Sequence, residues 1–224
     1  MESGIMGTVE TPINESKGCG TVMRIAPVGL VFNHDREIAF KEGVKISAIT
    51  HGHPSGYLTG GLLASIIADL SNDLGLETAI SNGLEILKQW NKHEEVFERM
   101  NLAIDIHNRY RNKDLSNQEV MMLGEGWVAD EAMAISLLCA LHYPQDFRKA
   151  VLTSINHSGD SDSTGSITGN LVGLMVGQNQ IPAEWKQNLM YKDIVVEIGT
   201  DLSIGCKSNG YELDEDWHLK YPGY

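Results

Sequence analysis

Two carboxylates and a hydroxyl lie close together in NHSGDSDSTGSITGNLVG, residues 156–173. Asp160 and Asp162 stand two residues apart, and Ser163 follows directly. Side chains two apart on a helix point in different directions, so these carboxylates converge only from a turn that leads into a helix. Oxygen ligands of this type suit hard divalent cations such as Mg²⁺, Mn²⁺ or Ca²⁺. The spacing predicts a cation site with Asp160, Asp162 and Ser163 as ligands.

Two other structures use similar residues. An EF-hand calcium loop matches at both aspartates, at Gly165 and at Ile167. Its twelfth position, however, holds Leu171 where that loop requires a bidentate glutamate, so we exclude it. The second alternative is helix capping, in which an aspartate or serine accepts hydrogen bonds from backbone amides. One cap accounts for only one of these side chains, so the pattern favours a metal site while capping stays open.

A second polar cluster, SKGCGTVMR at residues 16–24, resembles an anion-binding turn. Gly18 and Gly20 lack a β-carbon, so their backbone N–H groups could approach an anion closely. Lys17 and Arg24 flank the turn with positive charge in a chain that is otherwise acidic. Most turns of this composition are structural, so the motif alone is a weak signal.

Two shorter motifs, THGHP and GEGW, contribute a histidine pair and a tryptophan. No third nitrogen or sulfur ligand accompanies His51 and His53 at a spacing typical of zinc, and a structural histidine is the common alternative. If His51 is functional, we expect it to hydrogen-bond a ligand. Trp127 follows a glycine turn at a helix start, where it is either a core side chain or a stacking surface for a base.

Helical patterns dominate the elements that must position these clusters. No alternating apolar and polar run of useful length occurs, so we predict an all-α fold in one domain spanning residues 1–224. The longest predicted loop is 111–126, and such loops often carry function. The predicted helices are 36–50, 76–90, 94–110, 127–143, 146–157, 181–190 and 192–202.

Small residues recur at every fourth position after two of the polar clusters. A four-residue repeat lies along one side of a helix, and each helical glycine costs about 1 kcal/mol relative to alanine. Close helix packing would offset that cost and hold the polar cluster at each helix start rigidly. The two repeats are Gly56, Gly60, Ala64 and Ala68, and Gly165, Gly169, Gly173 and Gly177.

Composition limits the class of protein. The chain has 224 residues, of which 42% are hydrophobic, and its 30 acidic and 17 basic residues give a formal charge of -13. This balance argues against nucleic acid or an anionic membrane as a partner. Cys19, Cys139 and Cys206 form no disulfide or metal-ligand pattern, and no targeting or membrane-spanning segment is found. We predict a cytoplasmic location.

Four motifs in this order closely resemble the ADP-ribosylglycohydrolase family over residues 8–202. They are SKGCGTVMRIAPVGL, ITHGHPSGYLTGG, GEGWVADEAMAISLLCAL and NHSGDSDSTGSITGNLVGLMVG. That family includes dinitrogenase reductase-activating glycohydrolases and ADP-ribosylarginine hydrolases. The resemblance implies an all-α orthogonal bundle of helices that holds two Mg²⁺ or Mn²⁺ ions. It also implies hydrolysis of the N-glycosidic bond between ADP-ribose and a protein acceptor, usually arginine.

The resemblance assigns expected roles by position. It makes Asp160, Asp162 and Ser163 the C-terminal metal ligands of the family. It makes His51 a ligand contact and sets residues 124–127, with Trp127, near the adenosine end. Cys19 stands where some relatives have asparagine. The residues expected to hold the diphosphate and nearby ribose are Ser16, Gly18, Cys19 and Gly20.

The sequence departs from the family in one respect. Family members carry an earlier segment with a G-D-x-x-G turn and a T-D-D-T-like motif, which supplies further metal ligands and the catalytic acid. This sequence has neither, so we expect it to be the C-terminal portion of such an enzyme and identify no catalytic acid in it. We expect weak or absent hydrolysis by the chain alone, unless a partner chain supplies the motif. The alternative is an ADP-ribose-binding remnant without turnover.

Overall fold

The computed structural model describes residues 6–207 and 219–221, and within them the chain is helical without a strand. The sheet-like pairing found there is one antiparallel bridge between Gly18 and Val128. The predicted all-α class is confirmed. The helices are α1 (Ala26–Val31), α2 (Arg36–Ala48), α3 (Pro54–Leu70), α4 (Leu76–Leu87), α5 (Glu94–Tyr110), α6 (Asn117–Met121), α7 (Ala129–His142), α8 (Phe147–Ile155), α9 (Ser161–Val176), α10 (Ala183–Gln187) and α11 (Lys192–Lys207), with 3-10 turns at Val22–Arg24 and Gln178–Gln180.

Helices α3 and α7 form the centre of the fold. Every residue of α3 from Ser55 to Leu70 is buried, as is nearly all of α7. Both are apolar around their whole circumference, which is typical of helices surrounded by others. Helices α2 and α4 pack against α3, α5 packs against α7, and α8 packs against α9. The polar N-terminal ends of α3, α7 and α9 are therefore held by a rigid core.

The small residues of α3 allow the close approach that their spacing predicts. A β-carbon built on Gly60, a member of the repeat, would lie 3.2 Å from Ser47 Cβ of α2. One built on the adjacent Gly61, outside the repeat, would lie 2.6 Å from Val44 Cγ2 and 2.8 Å from the Phe40 carbonyl oxygen of α2. On α2, a β-carbon on Gly43 would lie 3.0 Å from the Gly60 carbonyl oxygen. Backbone therefore packs on backbone where α2 crosses α3.

The second repeat behaves differently. A β-carbon on Gly165 would lie 2.7 Å from Ile155 of α8, but one on Gly169 would lie 3.9 Å from the Phe147 ring, an ordinary contact. Gly177 is outside the helix and ends it with a φ of +73°. The prediction of close packing is therefore wrong for the C-terminal half of α9, because the Phe147 ring of α8, rather than helix backbone, lies against Gly169 and Gly173.

Several predicted helix bounds differ from the observed ones, and three differences have a clear physical reason or were not expected. The predicted loop 111–126 contains α6, whose first turn is closed by a capping box between Ser116 and Glu119. This S-x-x-E pattern is a helix-start signal that outweighs the polar composition of the segment. Helix α7 begins two residues later than predicted, because Trp127 and Val128 pair with the 16–20 loop. Helix α1, with a proline in its first turn, was not predicted.

Two sequence expectations concern membranes and cysteines. Among the helices of residues 6–207 and 219–221, none combines the length and apolar character needed to cross a bilayer. Cys19 and Cys139 are free thiols. The side chain of Cys206 lies outside the described part of the chain.

Candidate functional site

The 16–20 loop lies between the N-terminal ends of three helices. At α3, the Ser16 carbonyl accepts a hydrogen bond from His53 N at 3.2 Å. At α7, the Lys17 carbonyl accepts one from Ala129 N at 2.8 Å. The third end, that of α9, contacts the loop through side chains. Helix N-termini carry partial positive charge, so three of them around one glycine loop favour an anion there.

Asp160 and Ser163 contact the glycine loop at Cys19. Asp160 is the N-cap of α9, and its Oδ2 accepts a hydrogen bond from the Cys19 thiol at 2.7 Å. Ser163 Oγ lies 3.3 Å from the same sulfur. Cys19 and Asp160 are 141 residues apart in sequence. Their contact joins the predicted diphosphate loop and the predicted metal ligands in one site.

Asp162 has a different position from the predicted one. Only Asp160 precedes α9, whereas Asp162 lies in its exposed first turn. The backbone of Asp160 is not helical, and its side chain turns toward Ser163 in that first turn, whereas the Asp162 side chain is exposed. Asp160 Oδ1 is 3.5 Å from Ser163 N, a long capping contact. Capping therefore accounts for one oxygen of Asp160 and leaves the other to face Cys19.

Asp160 is a buried anion without a cation. It is 6% exposed and forms no ion pair with a lysine or arginine of the described residues. Its charge acts on His157, but burial lowers the pKa of that histidine, which favours the neutral imidazole. Burial opposes the ionisation of Asp160, but hydrogen bonds from the Cys19 thiol and from Ser163 outweigh that effect and hold its pKa below the usual value of an aspartate. Burial and the contact with Asp160 raise the pKa of the Cys19 thiol. At neutral pH the pair is a carboxylate and a protonated thiol.

His51 lies against both glycines of the loop. A β-carbon on Gly18 or Gly20 would be 3.5 Å from its imidazole ring. The Gly18 N–H donates to Ser16 Oγ at 3.4 Å, so that amide is already used within the loop. The Gly20 N–H has no acceptor among residues 6–207 and 219–221. Of the two glycine amides predicted to meet an anion, Gly20 is therefore the one available.

A hydrogen-bonded chain orients His51. Arg24 Nη2 donates to Thr50 Oγ1 at 2.7 Å, and Thr50 Oγ1 lies 2.8 Å from His51 Nδ1. Because the Thr50 oxygen accepts from Arg24, its hydroxyl can donate a hydrogen bond to His51 Nδ1, and the neutral imidazole then carries its N–H at Nε2, facing the loop. Burial and the charge of Arg24 lower the pKa of His51, which favours this neutral form. His53 instead caps α3 through Nδ1 and has a structural role.

Lys17 does not supply free charge to the loop. Its Nζ lies 2.6 Å from Glu95 Oε1, and Ser55 at the start of α3 donates to the other oxygen of Glu95. The prediction that Lys17 and Arg24 both flank an anion is wrong for Lys17, because α5 presents a carboxylate to it. Arg24 is exposed and has no carboxylate partner among the described residues.

Trp127 is a surface side chain. It is 58% exposed, and its Nε1 donates to Glu125 Oε2 at 3.1 Å. Its carbonyl accepts from Cys19 N at 3.2 Å, which joins the GEGW turn to the glycine loop. The core alternative is excluded, and an exposed indole beside the loop remains available for stacking.

Glu131, which is not among the predicted site residues, holds the GEGW turn. Its Oε2 accepts hydrogen bonds at 3.1 Å from the backbone N–H groups of both Glu125 and Gly126. Gly124 and Gly126 have φ angles of +111° and +81°, which favour glycine. A carboxylate in the first turn of α7 is the sequence signal that indicates such a role.

Removing the Glu131 carboxylate should destabilise the fold. Glu131→Ala leaves two amides of the turn without their acceptor, and we expect a loss of about 1–2 kcal/mol in the free energy of unfolding. Glu131→Gln keeps an oxygen that both amides can reach, so it should stay within about 0.5 kcal/mol of the parent. Urea denaturation of both variants measures the difference. Equal losses would contradict the proposed anchoring.

Comparisons with known proteins agree with this arrangement of motifs. The family model for ADP-ribosylglycohydrolase matches residues 2–212. The chain is 23% identical over 185 residues to an ADP-ribosylarginine hydrolase of Pseudomonas putida, covering 83% of this chain and 45% of that protein. It is 24% identical over 204 residues to the ADP-ribosylhydrolase ARH3 of Mus musculus, covering 77% and 53%. It is also 23% identical over 192 residues to the ADP-ribosyl-dinitrogen reductase glycohydrolase of Rhodospirillum rubrum, covering 83% and 55%.

The chain spans about half the length of the curated relatives that it matches. The matched part nevertheless contains all four polar motifs and the helices that hold them. Because the family model covers most of its length, the chain belongs to the ADP-ribosylglycohydrolase family.

Proposed function

We propose that this chain binds ADP-ribose and a divalent cation at the 16–20 loop, and takes part in hydrolysis of the N-glycosidic bond between ADP-ribose and a protein arginine. One observation carries the proposal. Asp160 and Ser163 meet Cys19, so the oxygen cluster and the glycine loop form a single polar site. ADP-ribose would occupy this site as part of a modified protein or as the free product. The free thiols of Cys19 and Cys139 support a reducing, cytoplasmic setting.

The residues present fit a hard divalent ion. Asp160 is a buried, ionised carboxylate without a protein cation, and Asp162 and Ser163 add two oxygen groups beside it. As the side chains stand, the described residues hold no group of three His, Cys, Asp or Glu around one point, because Asp162 faces solvent. Asp160, Asp162 and Ser163 would hold Mg²⁺ or Mn²⁺, with water completing the shell. When bound, the ion would supply positive charge that stabilises charge developing as the glycosidic bond breaks.

The loop and its neighbours suit the diphosphate. The Gly20 N–H and the His51 Nε2–H are neutral donors that can orient phosphate oxygens, and Arg24 adds a positive charge at the surface. The N-terminal ends of α3, α7 and α9 favour the same anion. The exposed indole of Trp127 provides a surface on which adenine can stack.

Three oxygen side chains fill roughly half of a six-coordinate shell, so the chain alone should hold an ion weakly. We therefore propose that a segment carrying the T-D-D-T motif, in the same or another chain, contributes the remaining ligands and the catalytic acid. With it, the family's second ion would have a site.

The test combines binding and turnover. We expect calorimetry on the purified chain to detect ADP-ribose binding that strengthens when Mg²⁺ or Mn²⁺ is added. Release of ADP-ribose from ADP-ribosyl-arginine should be slow, should require the ion and should stop in the presence of EDTA. A peptide containing the T-D-D-T segment of a relative should increase the rate. Absence of ADP-ribose binding with and without metal would contradict the proposal.

A binding role without turnover is the second candidate. It is favoured because, among the described residues, the carboxylate in contact with Cys19 is that of the proposed ligand Asp160, which leaves none there to act as catalytic acid. Metal-dependent ADP-ribose binding, with no release even after the peptide is added, would support it over hydrolysis.

A further inference from the structure

Helix α5 carries none of the predicted site residues, yet two of its charged side chains contact the elements around the site. Glu95 and Arg99 are about one helical turn apart, so they lie on the same face of α5. Glu95 contacts the 16–20 loop, and Arg99 contacts the residue that precedes the GEGW turn. The glycine loop and the turn are therefore both joined to one helix.

Glu95 fastens the glycine loop. Lys17 Nζ is 2.6 Å from Glu95 Oε1, and the Ser55 hydroxyl donates to Glu95 Oε2. Ser55 is buried in the first turn of α3, so Glu95 joins the loop to α3 as well as to α5. Burial opposes the ionisation of Glu95, but the hydrogen bonds from Lys17 and Ser55 hold its pKa below the usual value of a glutamate. These contacts are therefore formed by a charged carboxylate at neutral pH.

Arg99 fastens the segment that leads into the GEGW turn. Its Nη1 donates to the Leu123 carbonyl at 3.1 Å, and its Nε donates to Asp130 Oδ2 at 3.1 Å. Asp130 is fully buried, and its other oxygen has no hydrogen-bond partner among the described residues. A buried carboxylate requires a cation beside it, so Asp130 holds the guanidinium in one position. Arg99 Nη2 also lies 3.9 Å from Glu131, which binds the amides of the turn.

The direct link between the loop and the turn consists of two backbone hydrogen bonds. Cys19 N–H bonds to the Trp127 carbonyl, and Ala129 N–H bonds to the Lys17 carbonyl. A ladder of this length has little stability of its own. The contacts with α5 on both sides of it would keep the loop and the turn from moving independently.

We propose that Glu95 and Arg99 are positioning residues, which hold the glycine loop and the GEGW turn at the separation that one ADP-ribose molecule spans. Each acts through another residue and not on the ligand. A preorganised site binds more tightly, because less of it has to be ordered when the ligand binds. The inference rests on the proposed binding of ADP-ribose, and it assigns a role in that binding to a helix without ligand contacts.

Calorimetric titration of the full chain tests the role of Glu95. Glu95→Ala should weaken ADP-ribose binding by about tenfold, because the ligand must then order the loop. Affinity for Mg²⁺ alone should stay within about twofold of the parent, since the proposed ligands belong to the start of α9, which packs on α7 and α8. Glu95→Gln keeps an oxygen for both donors and should retain most of the ADP-ribose affinity. Glu94→Ala, which removes an exposed glutamate from the same helical turn, is the matched control and should bind as the parent does.

Arg99→Lys tests the contact with the turn. Lysine keeps a positive charge beside Asp130 but lacks the forked donors of the guanidinium, so the bond to the Leu123 carbonyl is lost. ADP-ribose affinity should fall by about three- to tenfold. Affinity for ribose 5-phosphate, which has no adenine to meet the turn, should stay unchanged. Circular dichroism identifies any variant that fails to fold.

Hydrogen exchange provides a readout that needs no ligand. The amides of residues 16–20 should exchange faster with deuterium in Glu95→Ala than in the parent, while those of the buried α3 exchange equally in both. Unchanged ADP-ribose affinity in either variant would overturn the assignment of that residue and leave the proposed function intact. Equal losses of ADP-ribose and Mg²⁺ affinity in Glu95→Ala would also overturn it, since the damage would then be general. A parent chain that binds no ADP-ribose would overturn the proposed function and this inference together.

Discussion

Replacing Asp160 with asparagine should lower the affinity for Mg²⁺ or Mn²⁺ by at least about a hundredfold while the chain stays folded. Asparagine has the same shape and keeps one oxygen, which can accept from Ser163 N while its amide nitrogen faces the Cys19 sulfur. The negative charge is lost. Because that charge is the buried one in the cluster, no other group can replace it for an ion. Calorimetric titration of the parent and the variant measures the effect.

The matched control is Asp146→Asn. Asp146 is also the N-cap of a helix, α8, and accepts a hydrogen bond from Lys149 N at 2.9 Å, but it lies outside the polar site. Asparagine caps helices as well as aspartate does, so this variant should retain the cation affinity of the parent. If both variants bind the ion as the parent does, Asp160 has only a capping role and the metal assignment fails.

The second large effect is on stability. Gly61→Ala should lower the free energy of unfolding by about 3 kcal/mol, because the new β-carbon meets the Phe40 carbonyl and Val44 at distances that backbone cannot relieve. The same change at Gly169 should raise it by up to about 1 kcal/mol, since alanine favours the helix and the nearest atom is at 3.9 Å. Urea denaturation followed by circular dichroism measures both.

Gly61→Ala and Gly169→Ala add the same methyl group and differ only in the atoms around it. The critical result is therefore that the change in the free energy of unfolding has opposite signs in the two variants. Destabilisation by similar amounts would mean that α9 is packed as closely as α3, contrary to the distances at Gly169.

Sequence patterns predicted the long helices because each has a clear periodic face or an apolar circumference. They failed for α6, where the five-residue element depends on the Ser116–Glu119 capping box rather than on periodicity. The glycine repeat of α9 was misleading for a related reason. A repeat specifies which residues share a side of a helix, and the distance of the neighbouring helix is set by the whole core.

For the site, residue types predicted the oxygen cluster and the glycine loop as separate features. Their contact at Cys19 could be expected only through the family resemblance, because packing of α3, α7 and α9 brings together residues 141 apart. The pairing of Lys17 with Glu95 had no local signal, since Glu95 is one of many acids on amphipathic helices. Long-range charge pairing of this kind requires coordinates.

The reciprocal backbone pairing between the 16–20 loop and the start of α7 has a dynamic consequence. Cys19 N–H bonds to the Trp127 carbonyl and Ala129 N–H bonds to the Lys17 carbonyl, so neither strand of this small ladder can open without the other. Both amides should exchange with deuterium at a common rate set by one opening event. A ligand bound at the glycines of the 16–20 loop would therefore slow deuterium uptake by the Ala129 amide, which lies on the opposite side of the ladder.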